Sequence, residues 1–147
     1  EEALRHTENA LTANNNDVQA IITGWDGLAG AAIQALSAEG LAGNVVVTGQ
    51  DADLSACQAI VEGTQTMTVY KPLSELAKAG VDTAYALATG QEIEYSGTVN
   101  NGYKDVPSVL PEIYAVDESN IVEVIIDSGF HSMEDVYANV PKDQWPE

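Results

Sequence analysis

The sequence predicts an α/β fold, a doubly wound parallel sheet, within a chain of 147 residues. Two short runs rich in β-branched residues, 18–23 and 44–49, are typical of strands buried on both faces of a parallel sheet. A stretch of helical length follows each run and ends at Gly40 or Gly63, and glycine favours a helix C-terminus. This strand-then-helix order predicts parallel strands joined by right-handed crossovers.

Elements on either side of these two units extend the same pattern. Apolar residues recur at helical spacing up to Leu11, and the turn-forming run Asn14–Asp17 ends that first helix. The alternating run 64–70 predicts a third strand, and Pro72 suits the first turn of a helix that reaches Gly90. The third strand and its helix therefore continue the alternation.

The last third of the chain is less regular. A strand over 98–102 runs into a turn, and 113–116 predicts a further strand. The segment 121–127 is either a short helix or a strand, because its VEVII run has high β-propensity. Ser132 followed by Asp135 predicts a capping box at the start of a final helix.

Composition excludes several classes of function. Twenty-three acidic and five basic residues give a net charge of -18, which repels nucleic-acid phosphates and anionic lipids. No apolar run approaches the roughly 20 residues that cross a bilayer. The lone Cys57 provides neither a disulfide nor a thiol cluster for a metal, and we predict that it is a core residue. The chain opens inside a predicted helix without an initiator Met, so we expect a processed chain or a fragment.

Polar and aromatic side chains follow the three predicted strands directly. Trp25 and Asp26 come after the first strand, Asp51 after the second and Lys71 after the third. Ligands of open parallel sheets bind beyond the carboxyl ends of the strands. A tryptophan ring, a carboxylate that accepts hydroxyls and an ammonium donor suit a neutral polyhydroxylated ligand such as a sugar.

Each of these residues has a structural alternative. Asp53 is placed to cap the following helix, which leaves Asp51 available for a ligand. Asp26 either caps its own helix or contacts the ligand. Lys71 is otherwise a solvated surface lysine, and Trp25 otherwise packs in an interface.

An enzyme is the alternative from another class. Asp51 and Asp53 could serve a Mg²⁺-dependent phosphotransferase in which one carboxylate attacks phosphorus. The chain has no glycine-rich phosphate-binding loop to support that chemistry. His6 and His131 have no partner at metal-ligand spacing and are predicted to be surface residues. We therefore expect no catalysis, no metal and no cofactor.

Five segments together resemble a known family. They are ENALTANNN, AGAAIQALSAEGLAG, GQDADL, GTQTMTVYKP and NNGYKDVPS. They resemble the D-xylose-binding proteins of bacterial ABC transporters, members of the type I periplasmic sugar-binding superfamily. The resemblance extends from Glu8 to about Met133, and it covers only the C-terminal half of such a protein.

The resemblance implies two α/β lobes that enclose the sugar and are joined by a three-stranded hinge. It implies that 1–98 is part of the C-terminal lobe, that 99–106 is a hinge crossing and that 107–147 returns to the N-terminal lobe. The fold would be incomplete without the N-terminal half of the same protein, which we expect as a companion chain; a domain-swapped homodimer is the alternative.

The resemblance also implies site residues. Asp51 and Lys71 match sugar-contacting positions of the family, whereas Trp25 replaces a sugar-binding asparagine. The Trp25 ring would stack on the sugar, fill space beside a smaller one or exclude xylose.

The function implied is capture of an aldose, most simply D-xylose, and its delivery to the membrane permease of an ABC transporter. The expected location is the periplasm or the outer face of the membrane, with a lipoprotein form as one alternative. The alternative function is a sugar-sensing module that serves a two-component sensor or a transcription repressor with the same fold.

Overall fold

The computed structural model describes residues 1–146, which form two compact units. The first unit contains 1–70 together with the chain from 114 onward, and the second contains 71–113. The helices and strands, in chain order, are α1 (Glu2–Ala13), β1 (Ala20–Ile22), α2 (Asp26–Ala38), β2 (Val46–Gln50), α3 (Leu54–Val61), β3 (Met67–Tyr70), α4 (Leu73–Thr89), β4 (Gly97–Asn100), β5 (Asp105–Ser108), β6 (Tyr114–Val116) and α5 (Met133–Val136). A π-helical turn (Val122–Ile126) and a 3₁₀ turn (Lys142–Gln144) complete the chain.

A four-stranded sheet with the order β1-β2-β3-β6 forms the centre of the first unit. The strands β1, β2 and β3 are parallel, as predicted, and β6 is antiparallel to β3. The carboxyl ends of the three parallel strands therefore lie at one edge of the sheet. The predicted α/β class is confirmed, with one antiparallel strand added to the parallel sheet.

Two apolar clusters fill the core of the first unit. One joins α1 and α2 to β2 through residues such as Leu11, Leu36 and Val47. The other joins α3 to the C-terminal segment through residues such as Ile60 and Ile125. Both clusters draw their strand residues from one face of the sheet, the face to which Val47 points. Buried and more exposed residues therefore alternate along β2 and β3.

The first strand differs from the prediction that it is buried on both faces. Within the described residues it is an edge strand paired only with β2, and its residue Ile22 is 85% exposed. On the adjacent strand Val46 is 45% exposed. A run of β-branched residues is therefore not enough to identify a fully buried strand, because burial depends on which elements cover each face.

The C-terminal segment packs on the first unit. Its β6 is hydrogen-bonded to β3, and its Val116, Ile121 and Ile125 are completely buried. The VEVII run forms a π-helical turn, so the helical alternative is the correct one. The predicted cap is confirmed, because the Asp135 amide donates to the Ser132 hydroxyl at 3.1 Å.

The second unit consists of α4 and the antiparallel hairpin of β4 and β5. Gly90 ends α4 in the left-handed conformation, with φ of 68°, as its glycine predicted. None of the α4 residues is buried. Among residues 1–146, no helix is long and apolar enough to span a membrane.

The bounds of the two units differ from the segments that the resemblance implies. The predicted first segment, 1–98, includes a stretch from Lys71 that the structure groups separately, and the predicted last segment, 107–147, includes β6, which completes the sheet of the first unit. Sequence periodicity does not show which strand edge a distant segment will join. The assignment of each unit to a lobe stays a prediction.

Candidate binding site

The turns after β1 and β2 form the first part of the candidate site. Because these strands are parallel neighbours, Trp25 and Asp51 follow them at the same edge of the sheet. The Thr23 hydroxyl donates to the Thr48 carbonyl at 2.8 Å and so ties the turn after β1 to β2. Trp25 and Asp51 therefore stand on two turns that are anchored to one sheet.

The turn that contains Asp51 has an unusual backbone. Asp51 and Ala52 both have positive φ, 96° and 53°, a region that residues other than glycine rarely occupy. The Asp51 amide donates to the Val69 carbonyl at 2.8 Å, and the Asp51 side chain is half-buried. Such a conformation persists only where surrounding contacts determine it, and it is common at ligand sites.

The Asp26 carboxylate is buried directly behind this turn, with only 3% of the residue exposed. It accepts hydrogen bonds from the Thr68 hydroxyl at 2.9 and 3.0 Å, from the Gln65 side-chain amide at 3.0 Å and from the Asp53 backbone amide at 2.9 Å. Both of its oxygens are therefore engaged by protein donors. This environment does not agree with the prediction that Asp26 contacts the ligand. Asp26 does not cap its own helix either, because α2 begins at Asp26 and Trp25 occupies the N-cap position.

The environment of Asp26 also changes its acidity. Burial raises the pKa of the Asp26 carboxyl above its ordinary value. The hydrogen bonds from Asp53, Thr68 and Gln65 favour the ionised form and lower the pKa, without cancelling the rise. Among residues 1–146, the donors to this carboxylate are all uncharged, so it is held in the interior without a cationic partner from that part of the chain.

The carboxylate approaches the backbone of β2 closely at Gly49. A Cβ atom added to Gly49 would lie 1.9 Å from Asp26 Oδ1 and 2.7 Å from Gln65 Nε2. Only glycine leaves the space that the carboxylate occupies. The conformation of β2 and the position of Asp26 are therefore coupled.

The Trp25 ring packs on the first turn of α2. A Cβ atom added to Gly27 would lie 2.6 Å from Trp25 Cη2 and 2.8 Å from both Cζ2 and Cζ3. Three such similar distances to adjacent ring atoms place Gly27 against the face of the six-membered ring, since an approach at the ring edge would give unequal ones. Trp25 is nevertheless 50% exposed, so much of the indole remains accessible to a ligand.

Lys71 and Asp53 complete the set of residues singled out from the sequence. Lys71 is half-buried and begins the second unit, whereas Trp25, Asp26 and Asp51 all belong to the first. Asp53 does occupy the N-cap position of α3, as predicted, but its side chain makes no capping hydrogen bond. Its contribution is the backbone amide that donates to Asp26.

Three residues of the site escaped prediction: Gln65, Thr68 and His131. Gln65 and Thr68 are buried polar residues in the run 64–70. The alternation of residue types along that run was the one feature of the sequence that could have indicated their burial. His131, predicted to be at the surface, is half-buried, with Nε2 2.9 Å from the Ala52 carbonyl oxygen. Its ring contacts Phe130, and the centroids are 4.4 Å apart.

Cys57 is a core residue, as predicted. It is completely buried, and its Sγ lies 3.6 Å from the Ala52 carbonyl oxygen. Burial raises the pKa of the Cys57 thiol to about 12, and the nearby Asp26 and Asp53 carboxylates contribute to the rise. The thiol therefore stays protonated and contributes packing to the turn.

Comparisons with known proteins agree on one fold. A carbohydrate transporter solute-binding protein from Chloroflexus aurantiacus, solved in complex with D-glucose, is 36% identical with a TM-score of 0.79, and the match covers 90% of this chain and 40% of that structure. The D-xylose-binding periplasmic proteins of Haemophilus influenzae and Escherichia coli are 51% and 52% identical over 93% and 89% of this chain. The chain spans about 40% of the length of these relatives.

The sequence profile of a family described as "Periplasmic binding protein domain" matches residues 1–92, which is more than half of the chain. The same residues contain β1, β2 and β3 and the turns that follow them. The chain therefore belongs to the periplasmic binding protein family.

Proposed function

We propose that the protein to which this sequence belongs is a non-catalytic solute-binding protein that captures an aldose, D-xylose first, for uptake by an ABC transporter. The observation that carries the proposal is 51% and 52% identity to two D-xylose-binding periplasmic proteins over about nine-tenths of the chain. The proposed location is the periplasm. A membrane permease is the proposed partner, and a lipoprotein anchor stays a prediction.

Asp51 is the proposed acceptor for sugar hydroxyl groups. It follows a parallel strand at the sheet edge where ligands of such sheets bind, and it is half-buried in a backbone conformation that needs support. A carboxylate can accept hydrogen bonds from two adjacent hydroxyls. Lys71, which follows β3 directly, is the proposed donor to a sugar oxygen.

Trp25 is the proposed stacking surface for the sugar ring. One face of its indole contacts Gly27, and half of the residue is accessible. The C–H groups of a pyranose form an apolar face that stacks on an aromatic ring. This role replaces the paired hydrogen bonds that an asparagine at the same position would make.

The proposed lobe assignment is the one that the resemblance implies, with 1–98 as part of the C-terminal lobe, 99–106 as a hinge crossing and 107–147 as the segment that returns to the N-terminal lobe. The N-terminal half of the same protein is the proposed partner of both units. Native mass spectrometry with and without D-xylose would reveal a companion chain and a bound pentose in one measurement.

The first binding test concerns Asp51. We expect Asp51→Ala to weaken D-xylose binding by about 10- to 100-fold, because hydrogen bonds to a charged acceptor contribute about 1.5–3 kcal/mol. Isothermal titration calorimetry on the whole protein, with its N-terminal half present and with D-glucose as a second sugar, measures this change. Asp143→Ala is the matched control, since Asp143 is an exposed aspartate in the C-terminal 3₁₀ turn. Unchanged affinity in Asp51→Ala would remove Asp51 from the site.

The second test uses the two tryptophans of the chain, Trp25 and Trp145. Trp145 donates from its indole nitrogen to the Val140 carbonyl at 2.9 Å, away from the strand-end turns. D-xylose should change the fluorescence of the Trp145→Phe protein, in which Trp25 is the remaining tryptophan of this chain, and the part of the change that comes from Trp25 should be absent from Trp25→Phe.

The affinity of a truncated variant completes the tryptophan test. Trp25→Ala should bind D-xylose about tenfold more weakly, because a stacked ring loses both contact area and about 0.5–1.5 kcal/mol of aromatic interaction. Tighter binding by this variant would show instead that the ring excludes xylose.

A further inference from the structure

The Asp26 carboxylate is the buried charge that the proposed function does not use. It is 3% exposed, and its donors, Thr68, Gln65 and the Asp53 amide, are all uncharged. Burying a carboxylate without a cation is unfavourable even when hydrogen bonds compensate. A residue that only stabilised the fold would be replaced at little cost by an apolar one of similar volume. The role of this carboxylate therefore lies in the groups that it holds in place.

Its hydrogen bonds converge on the turn after β2. The Asp53 amide donates to Asp26 Oδ2 at 2.9 Å. The Thr68 hydroxyl donates to Asp26 and at the same time accepts from the Ala52 amide at 3.2 Å. Two consecutive amides of the turn are thereby fixed, one by Asp26 and the other by its partner Thr68.

Two further backbone groups of the turn are also engaged. The Asp51 amide donates to the Val69 carbonyl at 2.8 Å, and the Ala52 carbonyl lies 2.9 Å from His131 Nε2. Asp51 and Ala52 have φ of 96° and 53°, which an unsupported turn of L-residues would avoid. The contacts from Asp26 and Thr68 are therefore among the interactions that offset this strain.

We propose that Asp26, acting with Thr68, is a positioning residue that holds the backbone after β2 in the left-handed conformation that presents Asp51 to the sugar. This inference rests on the proposed function, in which Asp51 accepts hydroxyl hydrogen bonds. Asp26 itself does not touch the sugar. Its buried carboxylate organises the amides on the C-terminal side of Asp51, and Gly49 leaves the space for it beside β2.

Three substitutions separate positioning from general stability. Asp26→Asn replaces one acceptor oxygen by an NH₂ group, which is a donor. One of the groups that donate to Asp26 would then lie against this NH₂ group and lose its hydrogen bond. Thr68→Val removes the hydroxyl that links Asp26 to the Ala52 amide at nearly constant volume, and Thr68→Ser restores it. Val47→Ala opens a cavity in the other apolar cluster and is the control for lost stability.

The experiment has two readouts, both made at a temperature where each variant is fully folded by circular dichroism. Calorimetry measures the D-xylose affinity of the whole protein, with its N-terminal half present. Amide hydrogen exchange at Ala52 and Asp53, recorded by NMR without sugar, reports whether the turn is held. We expect Thr68→Val and Asp26→Asn to lose amide protection and to bind D-xylose about tenfold or more weakly, the effect of losing one well-placed hydrogen bond to the ligand.

Thr68→Ser should keep both the protection and the affinity within about threefold of the parent chain, and Val47→Ala should keep the affinity. If Thr68→Val and Asp26→Asn retain amide protection and parental affinity, the inference is overturned. If the whole protein, with its N-terminal half present, binds no aldose, the proposed function fails, whereas the exchange readout still decides whether Asp26 and Thr68 hold the turn. Should Asp26→Asn not fold, the Thr68 pair gives the answer alone.

Discussion

Asp26 illustrates how a single buried charge is tolerated inside a small α/β unit. The free energy lost on removing a carboxylate from water is partly recovered by the donors that surround it, which come from α3's N-cap, from β3 and from the residues just before β3. The pKa of Asp26 is nevertheless raised. At neutral pH the ionised carboxylate therefore opposes folding more than its neutral form would.

This raised pKa gives a pH-dependent prediction. The contribution of Asp26 to the free energy of unfolding should be fully present below its ordinary pKa of 3.8 and should be lost as the pH rises through the higher native value. The unfolding free energy of the parent chain minus that of Asp26→Asn should thus fall as the pH rises from about 3 to about 7. Urea titrations across that range measure the difference.

The subtraction removes the effect of the other carboxylates, which titrate in both proteins. A difference that stayed constant with pH would mean that Asp26 titrates alike in the folded and unfolded chain. A difference that rose with pH would mean that its hydrogen bonds outweigh burial. Either result would contradict the direction of the shift.

At the same scale, the sequence predicted the residues that stand at strand ends but not their surroundings. Trp25, Asp51 and Lys71 follow strands whose composition is recognisable locally. The structural role of Asp26 depends on Gln65 and Thr68, which are 39 and 42 residues away in the chain. Contacts over such separations are set by strand register, and one sequence does not reveal register.

Among the elements, helices were predicted more closely than strands. The glycine after α4 and the Ser132 cap are local signals, and both mark helix ends in the structure. The strands came out shorter than their apolar runs: β1 has three residues, Ala20–Ile22, where the run extends over 18–23. Strand ends depend on the partner strand, so the run alone overestimates their length.

Two glycines give an element-scale prediction with a matched control. Gly49→Ala would place a Cβ atom 1.9 Å from the Asp26 carboxylate and should lower the free energy of unfolding by about 1–3 kcal/mol, the usual effect of overpacking. A Cβ atom added to Gly30, in α2, would have no atom within 4 Å. Gly30→Ala should therefore raise the free energy of unfolding by about 0.5–1 kcal/mol.

Chemical denaturation of the two variants, followed by far-ultraviolet circular dichroism, tests both signs. The alanine adds the same atoms in each case, and only the surroundings differ. A neutral effect of Gly49→Ala would mean that the carboxylate moves away from β2 without loss. That result would also weaken the argument that Asp26 holds the neighbouring turn.

For the whole molecule, the arrangement of the chain was the least predictable property. Local patterns located β6, but its pairing with β3 and the burial of Val116 bring the C-terminal segment back to the first unit. The second unit, 71–113, has its own hairpin and a helix without a buried residue. Both outcomes follow from tertiary contacts between distant segments, which overrule local propensity.

The net charge of the whole chain leads to the last prediction. The chain has twenty-three acidic residues and five basic ones. The ion pairs Glu2–Arg5 and Lys78–Asp82 are exposed, and each lies within a single helix. Such pairs stabilise little, so mutual repulsion between carboxylates dominates the electrostatics. Raising NaCl from about 10 mM to about 0.5 M shortens the screening length from about 30 Å to a few ångströms and should raise Tm by several degrees.

Both tryptophans lie in the first unit, so their fluorescence follows the thermal unfolding of that unit. A variant that neutralises exposed acids, Glu8→Gln with Asp143→Asn and Glu134→Gln, should show a smaller increase, since fewer repulsive pairs remain to be screened. A Tm that fell with NaCl would show that attractive pairs outweigh repulsion. An unchanged slope in the neutralised variant would place the salt effect in anion or cation binding rather than in screening, because screening alone must scale with the charge that is removed.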